Sequence, residues 1–72
     1  MSNEKKPLVD EVVAYEPTGP SGNAFWILGT TASVLERHGH ADKVEEYRRR
    51  ATSGDYDNLL KVTGEYVDLR VV

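Results

Sequence analysis

The stretch N-A-F-W-I-L-G-T-T-A-S-V-L-E-R-H, residues 23–38, is the most informative part of this 72-residue chain. It contains no proline, and its apolar and small residues recur at intervals of three and four, which predicts one long amphipathic helix. Ser21, Gly22 or Asn23 can cap the start of this helix. Gly39 suits the left-handed position that follows its end. The residues at helical spacing are Ala24, Ile27, Leu28, Thr31, Val34 and Leu35.

A second row of apolar residues runs beside the first on the same expected helix. Phe25, Gly29 and Ala32 form this row. We therefore expect the helix to pack against neighbours on two sides and to lie at the centre of the core. Leu28, on the main row, is expected to be buried.

Three clusters of turn-forming residues divide the rest of the chain, at residues 17–22, 38–40 and 53–55. Leu8 to Tyr15 is rich in β-branched residues and is predicted to be a strand. Ala41 to Ala51 is predicted to be a short amphipathic helix. Its inward face carries Val44, Tyr47, Arg48 and Ala51.

Gly54 and Asp55 mark the boundary between the second helix and a third. We expect Gly54 at positive φ after the second helix and Asp55 as the N-cap of the third. Leu60 is expected on the inward face, and Gly64 to weaken the last turn. From Tyr66 the apolar period changes to two, which predicts a half-buried strand. Val67, Leu69 and Val71 alternate there with Asp68 and Arg70.

The two expected strands lie at opposite ends of the chain and have only each other as partners. This predicts an α+β fold in the order β-α-α-α-β, with a two-stranded sheet on a three-helix cluster. Residues 1–6 are expected to be a flexible tail and residues 7–72 a single small domain. The direction of strand pairing stays open, as does the extension of a sheet edge across a homodimer.

The composition narrows the environment of the chain. Chains of this size often gain stability from disulfides, a metal or a partner subunit. The absence of cysteine excludes disulfides and thiolate metal sites, so a partner subunit is the expected aid. The polar start and the lack of a long apolar run predict a cytoplasmic protein.

Motifs for catalysis or cofactor binding are weak. No lysine follows the glycine-containing turn at residues 19–23 until Lys43, so the requirements of a phosphate loop are not met. His38, His40 and Asp42 are possible metal ligands, but this run crosses a glycine turn and lacks a fourth ligand. The simpler interpretation places His38 at a helix C-terminus, where its charged form complements the dipole. We expect no catalytic activity, no cofactor and no metal.

Arg48-Arg49-Arg50 is the only basic run. Successive helical residues point about 100° apart, so three arginines do not form one patch. Glu45 and Glu46 precede Arg49 and Arg50 by four residues, and the net charge is −3. We expect a solvated face. The alternative is a small nucleic-acid-binding regulator that uses Lys43 and Arg48 to Arg50.

Trp26 shares a helix face with Thr30 and Arg37, away from the main apolar row. It is either part of a helix buried on all sides or an exposed aromatic anchor, because tryptophan is enriched in interface hot spots. The residues predicted to bind a partner are Trp26, Thr30, Arg37, Arg49 and Arg50.

Two short motifs occur at residues 22–25, G-N-A-F, and at residues 53–60, S-G-D-Y-D-N-L-L. They resemble a group of small uncharacterised bacterial and phage proteins that read G-N-A-F, a short helix, and then S-G-D-Y-[DN]-x-L-L. The similarity covers about residues 22–67, and the second motif is the more specific. The resemblance implies an autonomous small domain carried by bacteria and mobile elements, and it implies no activity.

These observations together predict a non-enzymatic protein-protein interaction module. Its source would be a phage or another mobile element, and it would act on a host protein, or on a second copy of itself, through a helix face.

Overall fold

The computed structural model describes residues 6–72, so all but Lys6 of the expected tail lies outside the described residues. Three α-helices and a two-stranded sheet follow the order β-α-α-α-β, which confirms the predicted α+β fold. No helix among residues 6–72 is long and apolar enough to cross a membrane. The elements are β1 Val12–Tyr15, α1 Ala24–Arg37, α2 Val44–Ala51, α3 Tyr56–Tyr66 and β2 Asp68–Val71, with 3-10 turns at Pro20–Gly22 and Ala41–Lys43.

The two strands pair in parallel, in a register that places Val12 beside Asp68 and Tyr15 beside Val71. β1 is shorter than the predicted strand, which began at Leu8. The backbone N–H groups of Leu8 and Val9 donate instead to the carbonyl oxygens at the end of α3. This segment therefore anchors the chain to the third helix before the sheet begins.

Both predicted ends of α1 are confirmed. Asn23 is the N-cap, and its side-chain oxygen accepts a hydrogen bond of 2.7 Å from the Phe25 N–H. Gly39 has a φ of 81°. The N–H of Gly39 donates to the carbonyl of Glu36, and that of His40 to the carbonyl of Leu35. This pair of bonds is a Schellman motif, which requires a left-handed residue after the helix.

The end of α2 corrects the prediction for Gly54, which does not have a positive φ. The Asn58 side-chain amide donates to the carbonyl of Arg50 at 3.0 Å, and the Thr52 hydroxyl donates to that of Arg48 at 2.7 Å. Side chains therefore satisfy the free carbonyls that a left-handed glycine would otherwise serve. A Cβ at Gly54 would lie 3.0 Å from the Cβ of Asn58, so close packing is the constraint there.

α3 begins as predicted and ends later. Asp55 is its N-cap and accepts a hydrogen bond from the Asn58 N–H. The helix continues through Gly64 to Tyr66, where the strand was predicted to begin, and β2 begins only at Asp68. The weakening effect of Gly64 stays a prediction. Thr63 and Tyr66, on either side of Gly64, are buried, and their contacts stabilise this turn.

The core is centred on Tyr47 of α2, whose side chain has no exposed surface. Its hydroxyl lies 2.8 Å from the Thr63 hydroxyl of α3, and its ring meets the Tyr66 ring edge-on at 5.1 Å. Leu28 and Leu60 are only half-buried, in contrast to their predicted burial. Arg48, expected on the inward face of α2, is exposed. The fully enclosed apolar side chains include Ile27, Val34, Leu35 and Val67.

Glu11 joins the start of the sheet to the end of α1. Its carboxylate accepts from the Arg37 guanidinium at 2.9 Å and lies 2.8 Å from His38 Nε2. The hydrogen bond from Arg37, followed by that with His38, holds the pKa of Glu11 below its ordinary value. His38 is the C-cap of α1, as the sequence indicated, and Glu11 is the partner that the sequence did not reveal.

Leu35→Ala is expected to lower the free energy of unfolding by about 2–5 kcal/mol, because it removes a fully enclosed side chain and leaves a cavity. Leu60→Ala, at a half-buried position on α3, should cost less. Urea unfolding followed by circular dichroism gives both values. A larger loss for Leu60→Ala would contradict this description of the core.

Glu11→Gln is expected to reduce the loss of stability in acid. Because the folded-state pKa of Glu11 is lowered, its contribution is present above its unfolded pKa and is lost as the pH falls through the folded value. Urea midpoints measured from pH 6 down to pH 3 should therefore fall less in the variant. Glu45→Gln is the control, since Glu45 forms no ion pair within residues 6–72. An equal slope in both variants would contradict the role of Glu11.

Candidate interaction surface

Two large aromatic side chains stand exposed on the first turn of α1. Phe25 is 82% exposed and Trp26 is 38% exposed. The expectation of a second buried row is wrong for Phe25 and Gly29, which face outward, and right for Ala32. The interpretation of α1 as a helix buried on all sides is therefore also wrong. The role of Trp26 as a partner anchor stays a prediction.

An apolar groove of about 270 Å³ lies between the start of α1, the end of α2 and the start of α3, and Phe25 is not among the residues that line it. Ala24 and Leu28 of α1 form one wall, and Phe25 is a helix-surface neighbour of Leu28, three residues earlier. The groove is open to solvent and near the lower limit of small-molecule pockets. The other lining residues, from the end of α2 and the start of α3, are Ala51, Thr52, Gly54, Asp55, Tyr56 and Leu59.

The start of α1 is held in place by contacts with α3 and with the residues that follow β1. The Tyr56 hydroxyl of α3 donates to the carbonyl of Gly22 at 2.6 Å. Burial raises the pKa of Tyr56, with repulsion from Tyr15 second, so its hydroxyl stays a donor. A Cβ at Gly22 would collide with the backbone oxygens of Glu16 and Pro17. The turn before α1 is thus packed against both β1 and α3, which holds the start of α1 in place.

The five predicted partner-binding residues are dispersed. Trp26 and the half-buried Thr30 lie on α1, where Arg37 is engaged by Glu11. Arg50 pairs with Glu65 at 2.9 Å and lies over the Tyr66 ring. Arg49 is exposed. No hydrogen bond or ion pair within the described part of the chain joins any two of the five.

Glu46 has partners other than the expected Arg50. It accepts a hydrogen bond of 2.6 Å from the Tyr66 hydroxyl and lies 3.9 Å from the Lys43 ammonium. The bond from Tyr66 is the main cause of its lowered pKa. Two of the four cations proposed for nucleic acid, Lys43 and Arg50, therefore have carboxylate partners. Arg48 and Arg49 form no ion pair with the residues described.

The exposure of Phe25 had a detectable sequence signal. Its row on the helix continues through Ser33 to Glu36, and a charged residue at the end of a row indicates solvent. Gly29 offers no side chain that would bind a neighbouring element. The row was therefore apolar at one end only, and the structure exposes it at Phe25, Gly29, Ser33 and Glu36.

The histidine-containing run does not gather into a metal site. Across residues 6–72, no group of three or more histidine, aspartate and glutamate side chains is close enough to hold a metal ion. His38 of this run is bound to Glu11.

Comparisons with protein-family models, with curated proteins and with solved structures give no match to this chain. The resemblance to small bacterial and phage proteins, carried by the motifs at residues 22–25 and 53–60, therefore stays a prediction.

Gly22→Ala is expected to lower the thermal midpoint and to shift the fluorescence of Trp26, the only tryptophan, because an added Cβ displaces the turn before α1. Gly29→Ala is the control. Its Cβ enters open space, and the change should stabilise the helix by about 0.5–1 kcal/mol. Thermal unfolding followed by fluorescence measures both effects. Equal midpoints would contradict the packing described for Gly22.

Proposed function

We propose that this chain is a non-enzymatic protein-interaction module whose partner packs on Phe25 and the adjoining groove. The observation that supports the proposal is an 82% exposed phenylalanine on a fixed helix turn beside an apolar groove. Burying such a side chain contributes about 1.5–3 kcal/mol. Exposed aromatic residues next to apolar clefts are typical of hot spots in protein interfaces.

The shape of the groove favours a protein partner over a small ligand. A groove of about 270 Å³ that is open to solvent accepts one or two side chains of a partner, whereas small ligands are bound in enclosed cavities. Polar residues at its edge, Thr52 and Asp55, suit the hydrated rim of an interface. A standard interface covers about 800 Å² on each partner. The described surface of 4850 Å² has room for one of this size.

The interaction would be with a host protein if the chain comes from a phage or mobile element, as the resemblance implies. Cytoplasmic location belongs to the same proposal. Such a role needs no set of catalytic residues, because the affinity for the partner comes from the burial of apolar surface.

The competing proposal is nucleic-acid binding through Arg48 and Arg49, which are exposed and unpaired within residues 6–72. The two neighbouring cations, Lys43 and Arg50, are bound to carboxylates. Binding through the remaining charges would weaken steeply as the salt concentration rises.

The test uses the chain tagged at its N-terminus and immobilised, with lysate from the source cells and quantitative mass spectrometry. A specific partner retained by the wild type should fall at least tenfold with Phe25→Ser, equivalent to a loss of about 1.4 kcal/mol. Val12→Ser, which removes an exposed valine from the outer face of the sheet, is the matched control. Both variants should fold, as circular dichroism would show. Equal retention by both would refute the proposed surface.

Mobility-shift assays with generic DNA and RNA at low salt separate the two proposals. No shift is expected. A shift that weakens as the salt concentration rises and is lost in Arg49→Gln would support the nucleic-acid proposal and contradict the protein-binding proposal.

A further inference from the structure

The backbone groups of β1 alternate between its two edges. The N–H of Asp68 donates to the carbonyl of Glu11 at 3.0 Å, so the chain faces β2 at Glu11 and at every second residue after it. The backbone groups of the intervening residues point to the opposite edge. Val12 and Ala14 are therefore the residues of β1 whose N–H and C=O groups face away from β2.

The outer edge of β1 consists of the N–H and C=O groups of Asp10, Val12 and Ala14. None of these groups makes a hydrogen bond to residues 6–72, and all three residues are exposed. Glu16 marks the end of the edge, because its N–H donates to the Ser21 hydroxyl at 2.7 Å. The outer edge of β1 can therefore accept one further strand.

The edge of β2 that faces away from β1 is closed at its start. The Leu69 N–H donates to the carbonyl of Val67 at 3.0 Å, and the Val67 N–H donates to that of Thr63 at 3.0 Å. Val67 also has no exposed surface. A strand that extends this sheet would consequently pair with β1.

Two exposed carboxylates flank the outer edge of β1. Asp10 and Glu16 are six residues apart, about 20 Å along an extended chain, and their even spacing places them on one face of the strand. Neither forms an ion pair within residues 6–72. The hydrogen bonds with Asp68 raise the pKa of Arg70, and the charge of Asp10 adds to this, but the ion pair of Arg70 is with Asp68. The charge at both ends of the edge thus favours a basic partner.

We propose that the outer edge of β1 binds an extended, basic segment of a partner protein, which adds a third, antiparallel strand to the sheet. A lysine or arginine at each end of this segment, six residues apart, would lie opposite Asp10 and Glu16. Cross-strand pairs of opposite charge stabilise a sheet. Main-chain hydrogen bonds supply the affinity, as in other cases of strand addition. The antiparallel direction is selected because it is the more stable per residue.

A second copy of β1 fits this edge less well. An antiparallel copy centred on Val12 would use all the open groups, but it places Asp10 diagonally next to the other copy's Glu16, at about 7–8 Å. A copy centred on Val13 places these two carboxylates directly opposite each other, where like charges destabilise a sheet. It would also need the Glu16 N–H, which Ser21 already occupies.

The addition of a strand also suits the size of the sheet. Two strands are marginal by themselves, and three or more with an apolar face are usually needed for stability. Val12, which is 53% exposed, would be covered by side chains of the added strand. The proposal does not rest on the Phe25 surface, because Phe25 lies on α1 and contributes nothing to the outer edge.

The probe for this proposal is a peptide with blocked ends, Lys-Thr-Val-Thr-Val-Thr-Lys, added to the full chain labelled with ¹⁵N. Its valines would lie opposite Ala14 and Val12, and its lysines opposite Glu16 and Asp10. The amide signals of Val12 and Ala14 should shift most and should saturate. The control peptide Lys-Lys-Thr-Val-Thr-Val-Thr has the same composition and should bind at least tenfold more weakly. Equal binding of the two peptides, or no saturable shift up to millimolar concentrations, would overturn the proposal.

N-methylation of the peptide tests the hydrogen bonds and their direction. In the antiparallel register the N–H of the second valine faces β1, whereas that of the central threonine faces solvent. N-methylation of this valine should weaken binding at least tenfold, and N-methylation of the threonine should leave it nearly unchanged. The reverse pattern would overturn the antiparallel direction, and equal effects would overturn strand addition.

Val12→Pro tests the edge from the side of the protein. Proline removes an N–H that faces away from β2, a position that edge strands tolerate, so the chain should fold, as circular dichroism would show. Peptide binding should be at least tenfold weaker, whereas Val12→Thr, which keeps the N–H, should bind as the wild type does. Unchanged binding by a folded Val12→Pro variant would overturn the proposal.

A charge exchange tests the basic character of the segment. The double variant Asp10→Lys with Glu16→Lys should prefer the peptide Glu-Thr-Val-Thr-Val-Thr-Glu over the lysine peptide, the reverse of the wild type. Glu45→Lys with Asp57→Lys makes the same change in net charge at exposed helix positions and should keep the wild-type preference. A reversal in both double variants would overturn the proposal, because net charge alone would then explain the binding.

Two further measurements separate this edge from other surfaces. Phe25→Ser should bind the lysine peptide as the wild type does, and a loss of binding would assign the peptide to the Phe25 surface and overturn the proposal. Sedimentation velocity of the chain alone should show a monomer. A dimer that Val12→Pro dissociates would show that a second copy occupies the outer edge, which would overturn the choice of a basic partner segment.

Discussion

The enclosed hydroxyl of Tyr47 is the constraint on which the helix cluster depends. A tyrosine with no exposed surface must place its oxygen against a partner, since an unsatisfied buried hydroxyl costs about 1–3 kcal/mol. Thr63 of α3 is that partner at 2.8 Å, and it thereby sets how α2 and α3 align. Burial raises the pKa of Tyr47, while the hydroxyls of Thr63 and then Thr31 oppose the rise. The buried Thr31 hydroxyl has no hydrogen-bond partner among residues 6–72.

Local signals predicted the parts of the fold that local forces determine. Helix α1 followed from its periodicity, its Asn23 cap and Gly39, because each acts within a few residues. Gly54 was misassigned because the carbonyls at the end of α2 are satisfied by Asn58, which the fold brings there by starting α3. The parallel direction of the strands could not be predicted from the sequence either, because it depends on where the three helices place the start of β2 relative to β1. The partners of Glu11 lie 26 and 27 residues further along the chain, so the sequence did not predict them for the same reason.

The surface was harder to predict than the core, because an apolar row does not say whether anything covers it. Trp26 was recognised as either buried or exposed, while Phe25 was assigned to the interior and is open to solvent. In a chain this small, apolar side chains exceed what the interior can enclose. Exposed apolar side chains lie on the first turn of α1, on both strands and at the start of α3.

The parallel pairing of β1 with β2 has a consequence for the order of folding. Val12 and Asp68 are partners across nearly the whole described chain, so this contact closes a very long loop. Such distant pairings form late, after contacts between neighbouring helices. During synthesis on the ribosome, β1 emerges before the three helices and β2 emerges after them. β1 consequently has no partner strand until β2 has left the ribosome.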